Sequence, residues 1–270
     1  MAMPVWIVKL IEKTFPQRFI LARMTKLPLA GRLIDHMLFE GDDIIYLPKD
    51  ETIHIGEEID TDEVMVPSRV VDYFIEKANY HWIMNKCICR ESMGCKDYPI
   101  DLGCLFLGEA AMGINPKLGR HVSKEEALEH VRRCREAGLF HIIGRNKIDT
   151  VWLNVRPGQR LLTICNCCPC CCLWRILPVL SPKVSRKVHR MPGVEVKVTD
   201  RCVGCGTCTQ DVCVVDAIRL EGGRAVIGEE CRGCGHCVTA CPEGAVELTV
   251  EDTSFMEGII PRLSSLVDVT

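Results

Sequence analysis

Apolar residues recur at the spacing of an α-helix in two stretches of the chain. In the first, Ser68 follows a proline and can begin a helix that runs to about Asn85. The apolar positions on one side of this helix are Val70, Val71, Phe74, Ala78 and Trp82. In the second, Ser123 and Glu126 form a capping box and Gly138 supplies a stop, which predicts a helix over 123–138.

Shorter apolar runs predict further elements upstream of residue 194. VWLNV (151–155) and LLTIC (161–165) are typical of two strands with a turn between them. The run LGCLFLGEAAMG after Asp101 predicts a helix with Cys104 in its first turn. The basic, proline-containing stretch 173–194 is expected to be a linker.

Downstream, the pattern changes to that of a small sheet. VEVKVT (194–199) alternates as a strand does, and AVELTV (245–250) predicts a strand that closes the sheet. Between them, residues 217–227 carry two apolar runs around Glu-Gly-Gly-Arg, which predicts a hairpin.

Cysteine is the unusual residue of this composition. The chain has 19 cysteines in 270 residues, and they are grouped in short motifs. The odd count, the grouping and the lack of a secretory signal in the first residues argue against a disulfide framework. They favour metal ligation in a reducing compartment, so we expect a cytoplasmic protein in an oxygen-poor cell.

The last two cysteine motifs have a spacing with a chemical reason. Residues 202–213 read CVGCGTCTQDVC and residues 231–242 read CRGCGHCVTACP. The second has the C-x2-C-x2-C-x3-C-P spacing that ligates a [4Fe–4S] cluster in bacterial ferredoxins. Two residues between cysteines let three thiolates converge on one cluster, and the glycines let the loop bend. Four-cysteine zinc sites instead pair two C-x-x-C motifs, so iron–sulfur ligation is favoured over zinc.

On these motifs, residues 200–250 resemble a bacterial two-cluster (2[4Fe–4S]) ferredoxin domain. The resemblance implies that the fourth cysteine of each run binds the other cluster. The first cluster would be held by Cys202, Cys205, Cys208 and Cys241. The second cluster would be held by Cys231, Cys234, Cys237 and Cys213. The first run departs from the family pattern, because four residues separate Cys208 from Cys213 and Val214 replaces the usual proline.

Ten further cysteines lie upstream in two dense groups. They are Cys87, Cys89, Cys95, Cys104, Cys165, Cys167, Cys168, Cys170, Cys171 and Cys172. So many neighbouring thiols favour metal or cluster binding, because free thiols at this density are prone to oxidation. They can supply one cubane with spare thiols, two cubanes or a larger cluster, and the spacing does not choose among these.

Other residues that could serve a metal site are better explained by structure. Cys134 stands alone on the helix over 123–138, so we expect a buried apolar thiol. His121, His130 and His141 have no ligand spacing with one another and are expected to be structural. Arg90 directly follows Cys89, where its charge could offset a thiolate-rich cluster.

The order of motifs along the chain also has a resemblance. CICR, GCLFLGEAA, SKEEAL, EAGL and ICNCC, followed by the ferredoxin motifs, resemble a group of multi-cysteine iron–sulfur proteins of anaerobic bacteria and archaea over about 80–250. The resemblance implies that the upstream cysteines work as a set. It implies no particular reaction.

These patterns together predict an α+β protein. A mostly helical, Cys-rich N-terminal domain is expected to precede a two-cluster domain with the βαβ pseudo-twofold of ferredoxins. The expected divisions are a Cys-free helical region (1–86), a Cys-rich region (87–172), a basic linker (173–194), the ferredoxin domain (195–250) and a tail (251–270).

Charge and missing motifs limit the functions. Residues 195–257 carry 12 acidic and 5 basic residues, whereas 173–194 carry 5 basic and no acidic ones. This asymmetry can steer a redox partner, or it can be an ordinary solvated surface. Nucleotide-binding glycine motifs are missing, so no nucleic-acid or nucleotide chemistry is expected. No apolar run is long enough for a transmembrane segment.

Three functions remain for this sequence. The first is electron transfer, in which two C-terminal [4Fe–4S] clusters relay single electrons to or from an upstream cluster site and a partner oxidoreductase. The second is a reductase whose upstream site binds and reduces a substrate or cofactor. The third is a metal-binding redox sensor. The sequence leaves the catalytic residues, the donor, the acceptor and the oligomeric state open.

Overall fold

The structure is a computed structural model that describes residues 2–54, 66–250 and 255–270. It contains both helices and sheets, which confirms the α+β class. The acidic stretch 57–63, which the sequence predicts to be an exposed loop, lies outside the described residues.

A mixed sheet of seven strands, counted over the described residues, organises the chain up to residue 190. The strands are β1 (Asp43–Tyr46), β3 (His81–Met84), β4 (Leu105–Leu107), β5 (Gly119–Val122), β6 (Phe140–Arg145), β7 (Leu162–Cys167) and β8 (Val188–Arg190). Their order in the sheet is β5–β3–β4–β7–β6–β1–β8, antiparallel throughout except for the parallel pair β1–β8. Strand β2 (Ile53–His54) belongs to a second sheet. From the sequence a mostly helical domain was expected here, and of the seven strands only β7 was predicted.

Helices cover both faces of the seven-stranded sheet. They are α1 (Val5–Thr14), α2 (Arg18–Met24), α3 (Pro28–Ile34), α4 (Ser68–Lys77), α5 (Ile88–Met93), α6 (Lys124–Glu136), α7 (Lys147–Leu153) and α8 (Pro182–Ser185). One face packs on α4 and α6 through residues such as Ile45, Leu105 and Ile143. The other face, which includes Tyr46 and Phe140, packs on α2 and the 3-10 helix Leu173–Val179. Side chains of a strand alternate between faces, so the sheet is the middle of three layers.

The downstream part forms a smaller sheet tied to the first. Its elements are β9 (Val194–Val198), β10 (Ile218–Glu221), β11 (Arg224–Ile227), α9 (His236–Ala240) and β12 (Val246–Val250). Strand β12 pairs antiparallel with β9 and parallel with β2, and β10 and β11 form a hairpin. The predicted strands over 194–199 and 245–250 and the predicted hairpin are confirmed. Because β2 comes from the upstream part, the two parts share a sheet.

The predicted helix from Ser68 is correct only for its first ten residues. The helix ends at Lys77, and the chain becomes extended at Ala78. Residues His81–Met84 are all buried in β3, which lies between β4 and β5. A short, largely apolar run is compatible with a helix or an interior strand, and the neighbouring strands decide here.

Two further element predictions are wrong. Residues 151–155 belong to α7 and its end, not to a strand, and Asn154 stops the helix with φ 53°. Cys104 does not lie in the first turn of a helix, because Leu105–Leu107 form the interior strand β4. By contrast, the strand over 161–165 is confirmed as β7, and α6 carries the predicted capping box.

The segment 173–194, predicted to be a linker, is part of the folded core. It contains a 3-10 helix, α8 and β8, and β8 pairs with β1. Trp174, Leu177 and Val184 are buried. Of the prolines that predicted a linker, Pro182 is the first residue of α8 and Pro178 lies within the 3-10 helix.

The described part of the tail docks on the upstream sheet. Helix α10 (Phe255–Ser264) packs against α4, and Arg262 donates two hydrogen bonds of 2.7 and 2.8 Å to Asp43. Asn79 donates its backbone N–H to Val269. The chain end therefore covers the face of the sheet that is opposite to the cysteines of β7.

Candidate metal centres

The eight downstream cysteines form two groups of four. One small cavity is lined by Cys202, Cys205, Cys208 and Cys241. A second is lined by Cys213, Cys231, Cys234 and Cys237. These are the two sets that the ferredoxin resemblance implies, including the exchange of the fourth cysteine. The extra residue before Cys213 does not move this thiol away from its set.

Backbone N–H groups point at the sulfurs of both sets. Ala217 donates to Cys213 at 3.2 Å, Gly233 to Cys231 at 3.4 Å, and Ala245 to Cys241 at 3.3 Å. Hydrogen bonds from the backbone of Ala225 and Gly204 lower the pKa of Cys202. Donors of this kind stabilise thiolates, which are the form that binds iron.

Glycine is required in these loops for conformation and for space. Gly204 has φ +71°, and a Cβ there would lie 2.1 Å from the carbonyl oxygen of Gly223. Gly235 has φ +85°, and its Cβ would lie 2.4 Å from Oγ1 of Thr52. The cysteine loops therefore run too close to their neighbours for a side chain.

We expect Gly204→Ala to reduce the iron bound at the set with Cys202, because the loop must move to relieve the clash. Gly222→Ala is the matched control, since Gly222 has φ +56° but open space around its Cβ position. Both changes carry the left-handed strain of about 1–2 kcal/mol. Iron per chain and the melting temperature measure the difference; equal losses in the two variants would show that contact with Gly223 is unimportant.

Four upstream thiols form a compact group. The sulfurs of Cys95, Cys168, Cys170 and Cys171 all lie within 4.8 Å of one another. Cys170 is 3.6 Å from Cys95 and 3.5 Å from both Cys168 and Cys171. The hydrogen bond from Cys170 lowers the pKa of Cys168 to about 5. Four convergent thiols, one of them with a lowered pKa, are a ready site for a metal or a cluster.

The other six upstream thiols surround a large cavity on the same face of the sheet. This cavity has a volume of about 480 Å³ and lies between β7 and the helices α1 and α2. Its thiols are Cys87, Cys89, Cys104, Cys165, Cys167 and Cys172, and Cys168 of the compact group also lines it. Cys104 is 4.0 Å from Cys165, and Cys172 is 3.3 Å from Cys167. The ten upstream cysteines therefore form two adjoining groups rather than one.

Arg90 lies between these two groups and is fully buried. It donates to the backbone oxygens of Asn166, at 2.8 Å, and of Leu102. Burial acts to lower its pKa, but the thiols of Cys87 and Cys168 outweigh this and raise it. The sequence-based expectation that Arg90 offsets thiolate charge fits this position.

Three residues that line the large cavity each carry a buried polar atom without a partner among the described residues. These atoms are Nε of Arg18, Nε of Arg90 and Oδ1 of Asn146. Unpaired polar atoms are costly to bury, so such atoms around a cavity indicate a bound group. An iron–sulfur cluster with sulfide acceptors fits the two arginines and the six thiols.

Asp149 is a further polar residue of the cavity wall. It accepts hydrogen bonds from Asn146, Trp152 and Thr163 at 2.7, 2.7 and 2.9 Å. Burial, followed by the charge of Cys165, raises its pKa to about 7. Asp149 and Arg18 were not predicted as site residues, because neither lies near a cysteine in sequence. Asn166 lies between Cys165 and Cys167 in the sequence, so its place near the site could have been predicted.

The residues expected to be structural are not among the convergent thiols of either upstream group. Cys134 is fully buried, which confirms the prediction of an apolar thiol. His130 is 2.9 Å from the carbonyl oxygen of Gly103, and His141 is 2.8 Å from Oδ1 of Asn166. His121 contacts the ring of Tyr80.

The downstream motifs, glycines and paired thiol sets can now be compared with known families. Residues 195–252 match the family model of the 4Fe-4S dicluster domain. This match supports an iron–sulfur, ferredoxin-like domain at this end of the chain. No curated protein and no solved structure matches the chain. No helix of the described residues is long and apolar enough to cross a bilayer.

The dicluster domain and the large cavity share one apolar core. Cys213, Cys231 and Cys234 of the domain pack in the same cluster of residues as Cys167 and Cys172. Tyr46 lies between them: it lines the small cavity of the Cys213 set, and it is fully buried. Burial raises the pKa of Tyr46, and nearby Cys172, Cys167 and Cys234 add to the shift. Its hydroxyl has no partner among the described residues.

Proposed function

We propose that this chain is an iron–sulfur electron-transfer protein in which the dicluster domain relays single electrons to or from the upstream thiol groups. In this proposal Cys202, Cys205, Cys208 and Cys241 hold one [4Fe–4S] cluster, and Cys213, Cys231, Cys234 and Cys237 hold a second. The compact group of Cys95, Cys168, Cys170 and Cys171 holds another. A partner protein supplies or accepts the electrons.

The observation that supports this proposal best is the buried apolar core between the dicluster domain and the cavity thiols. Tyr46, Phe140 and Trp174 are buried in the core that both the Cys213 set and the cavity thiols touch. The ring of Phe140 also meets the ring of His236, of the dicluster domain, at 5.2 Å. Packed side chains keep water out of this region and fix the separation of the two thiol sets.

The chemistry follows from what the thiols would hold. A [4Fe–4S] cluster exchanges one electron at a time, at a potential set by hydrogen bonds, charge and burial. The chain supplies backbone N–H donors at the downstream sulfurs and a buried guanidinium at the upstream ones. The downstream and the upstream cysteines would therefore provide different environments for a [4Fe–4S] cluster.

Iron and acid-labile sulfide per chain, measured on anaerobically purified protein, test the proposal. About eight irons would mean that only the dicluster domain is loaded, and about twelve or sixteen that upstream thiols hold cubanes as well. Redox titration followed by EPR then shows whether the signals of the two parts interact. Zinc or copper without sulfide in the upstream part would overturn the relay and support a metal-binding redox sensor instead.

A second candidate function is favoured by the cavity. A space of about 480 Å³ next to six thiols has room for a small molecule as well as a cluster. In that case the upstream site would bind and reduce a substrate with electrons from the dicluster domain. Substrate binding would perturb the EPR signal of an upstream cluster held by only three thiolates. Leu21→Trp, at the cavity wall, should weaken that perturbation, whereas Met112→Trp, at an exposed residue that does not line the cavity, should not.

A further inference from the structure

Large apolar side chains are exposed mainly in one short segment of the chain. Fourteen such side chains are exposed among the described residues, and nine of them lie between residues 6 and 37. They are Trp6, Leu10, Ile20, Leu21, Met24, Leu27, Leu29, Leu33 and Met37. Trp6 is 68% exposed and Leu29 is 82% exposed. Single exposed apolar residues are ordinary, but a concentration of this kind marks an interaction surface.

Seven of these residues fall on the outer sides of the helices α1, α2 and α3, and Leu27 and Met37 flank α3. Trp6 and Leu10 are four residues apart on α1, as are Leu29 and Leu33 on α3, so each pair lies on one side of its helix. The inner sides carry Val8, Ala22 and Ile34, which are buried in the core. The helices therefore carry apolar residues on the side that faces the core and also on part of the side that faces solvent.

The charge of the same segment is strongly positive. Residues 2–37 contain six Lys and Arg residues and two acidic ones, a net charge of +4. Five of the basic residues are exposed and form no ion pair with a described residue. They are Lys9, Lys13, Arg23, Lys26 and Arg32. The dicluster domain and its flank, 195–257, carry the opposite charge of −7.

We propose that helices α1, α2 and α3 dock this protein on the surface of an anionic lipid bilayer. Exposed Leu, Ile and Trp residues beside unpaired Lys and Arg residues are what binding at a lipid headgroup boundary requires. The helices are seven to ten residues long and lie on the surface without spanning it. A second copy of the chain fits this face poorly, because a two-fold contact would bring the two positive surfaces together.

Docking in this orientation would place the large cavity next to the lipid. Ile20, Leu21 and Met24 belong to the exposed apolar surface and also line the cavity. A molecule dissolved in the bilayer would then reach the cavity by passing the exposed side chains of α2. The docking itself does not depend on what the thiols hold, so it can be tested separately from electron transfer.

Flotation of the full chain with lipid vesicles tests the proposal. The wild type should float with vesicles of phosphatidylcholine and phosphatidylglycerol and bind at least about tenfold more weakly to pure phosphatidylcholine. High salt should weaken binding to the anionic vesicles. The double variant Leu29→Glu/Leu33→Glu, and separately Lys26→Glu/Arg32→Glu, should each reduce binding by at least about tenfold.

Two matched controls address folding and position. Met112→Glu changes an exposed apolar residue elsewhere, and Lys117→Glu reverses an exposed charge elsewhere; both should bind as the wild type does. Unchanged iron content in every variant shows that the fold is kept. Failure of the wild type to float with anionic vesicles at low salt overturns the proposal. So does a stable dimer in sedimentation that Leu29→Glu/Leu33→Glu dissociates, because a second copy would then cover this face.

Discussion

Replacing Cys95 and Cys171 together by alanine is expected to remove about four irons per chain, while the EPR signals of the dicluster domain remain. Both thiols belong to the compact group within 4.8 Å, and neither lines the large cavity. A cubane that loses two of its four thiolates has too few ligands to assemble. Iron, sulfide and EPR signals of the anaerobic protein measure the loss.

The matched control for this change is Cys134→Ala. Cys134 is fully buried and packs in the same group of apolar residues as Cys168 and Cys171, but its thiol is not among the four convergent sulfurs. Its removal should leave the iron content unchanged. Unchanged iron in the double variant would contradict a cluster at the compact group. Loss of about eight irons would show that the compact group and the cavity thiols load as one larger assembly.

The division of the upstream cysteines is the part of the site that the sequence did not resolve. In sequence, Cys165 to Cys172 form a single dense run, and Cys87 to Cys104 form another. In the fold, β7 ends at Cys167 and the chain turns. As a result, each of the two upstream groups contains cysteines from both sequence runs. Cys95 joins the end of the later run, whereas Cys87 and Cys104 face its beginning. Spacing records which residues are neighbours along the chain, and this division depends on contacts across 75 residues.

Elements with local signals were predicted well. The capping box of Ser123 and Glu126 involves residues three apart, and the helix that it predicts is present. The hairpin around Gly222 and Gly223 was likewise visible from its turn residues. Elements decided by distant partners were not: His81–Met84 became a strand because β4 and β5 flank it. Arg18 shows the limit most clearly, since it reaches the thiol cavity from a segment without cysteines.

The segment 173–194 was predicted to be a linker although it belongs to the folded core. Its prolines and basic residues are typical of a linker. Trp174 and Leu177 nevertheless find a place against Tyr46 and Phe140 in the shared core. That core connects the cavity thiols with the dicluster domain, so the proposed relay depends on a segment that looks unstructured in sequence.

Arg90→Met is expected to lower the midpoint potential of the upstream centre and to destabilise the protein. The guanidinium is the buried positive charge between the two upstream groups, and its removal makes the addition of an electron to a thiolate-rich centre less favourable. A shift of at least about 60 mV, a tenfold change for a one-electron couple, is expected. The carbonyls of Asn166 and Leu102 lose their donor as well, at a cost of about 1–3 kcal/mol each.

Two further variants separate the charge of Arg90 from its structural role. Arg90→Lys keeps the charge but cannot reach both carbonyls as the planar guanidinium does, so it should lose stability and keep a potential near that of the wild type. Arg133→Met removes an exposed arginine of α6 and should change neither quantity. Redox titration by EPR and anaerobic thermal unfolding measure the two effects. An unchanged potential in Arg90→Met, together with lower stability, would mean that Arg90 only anchors the loop of Cys87 and Cys89, and that the potential of the upstream centre is set by its thiols alone.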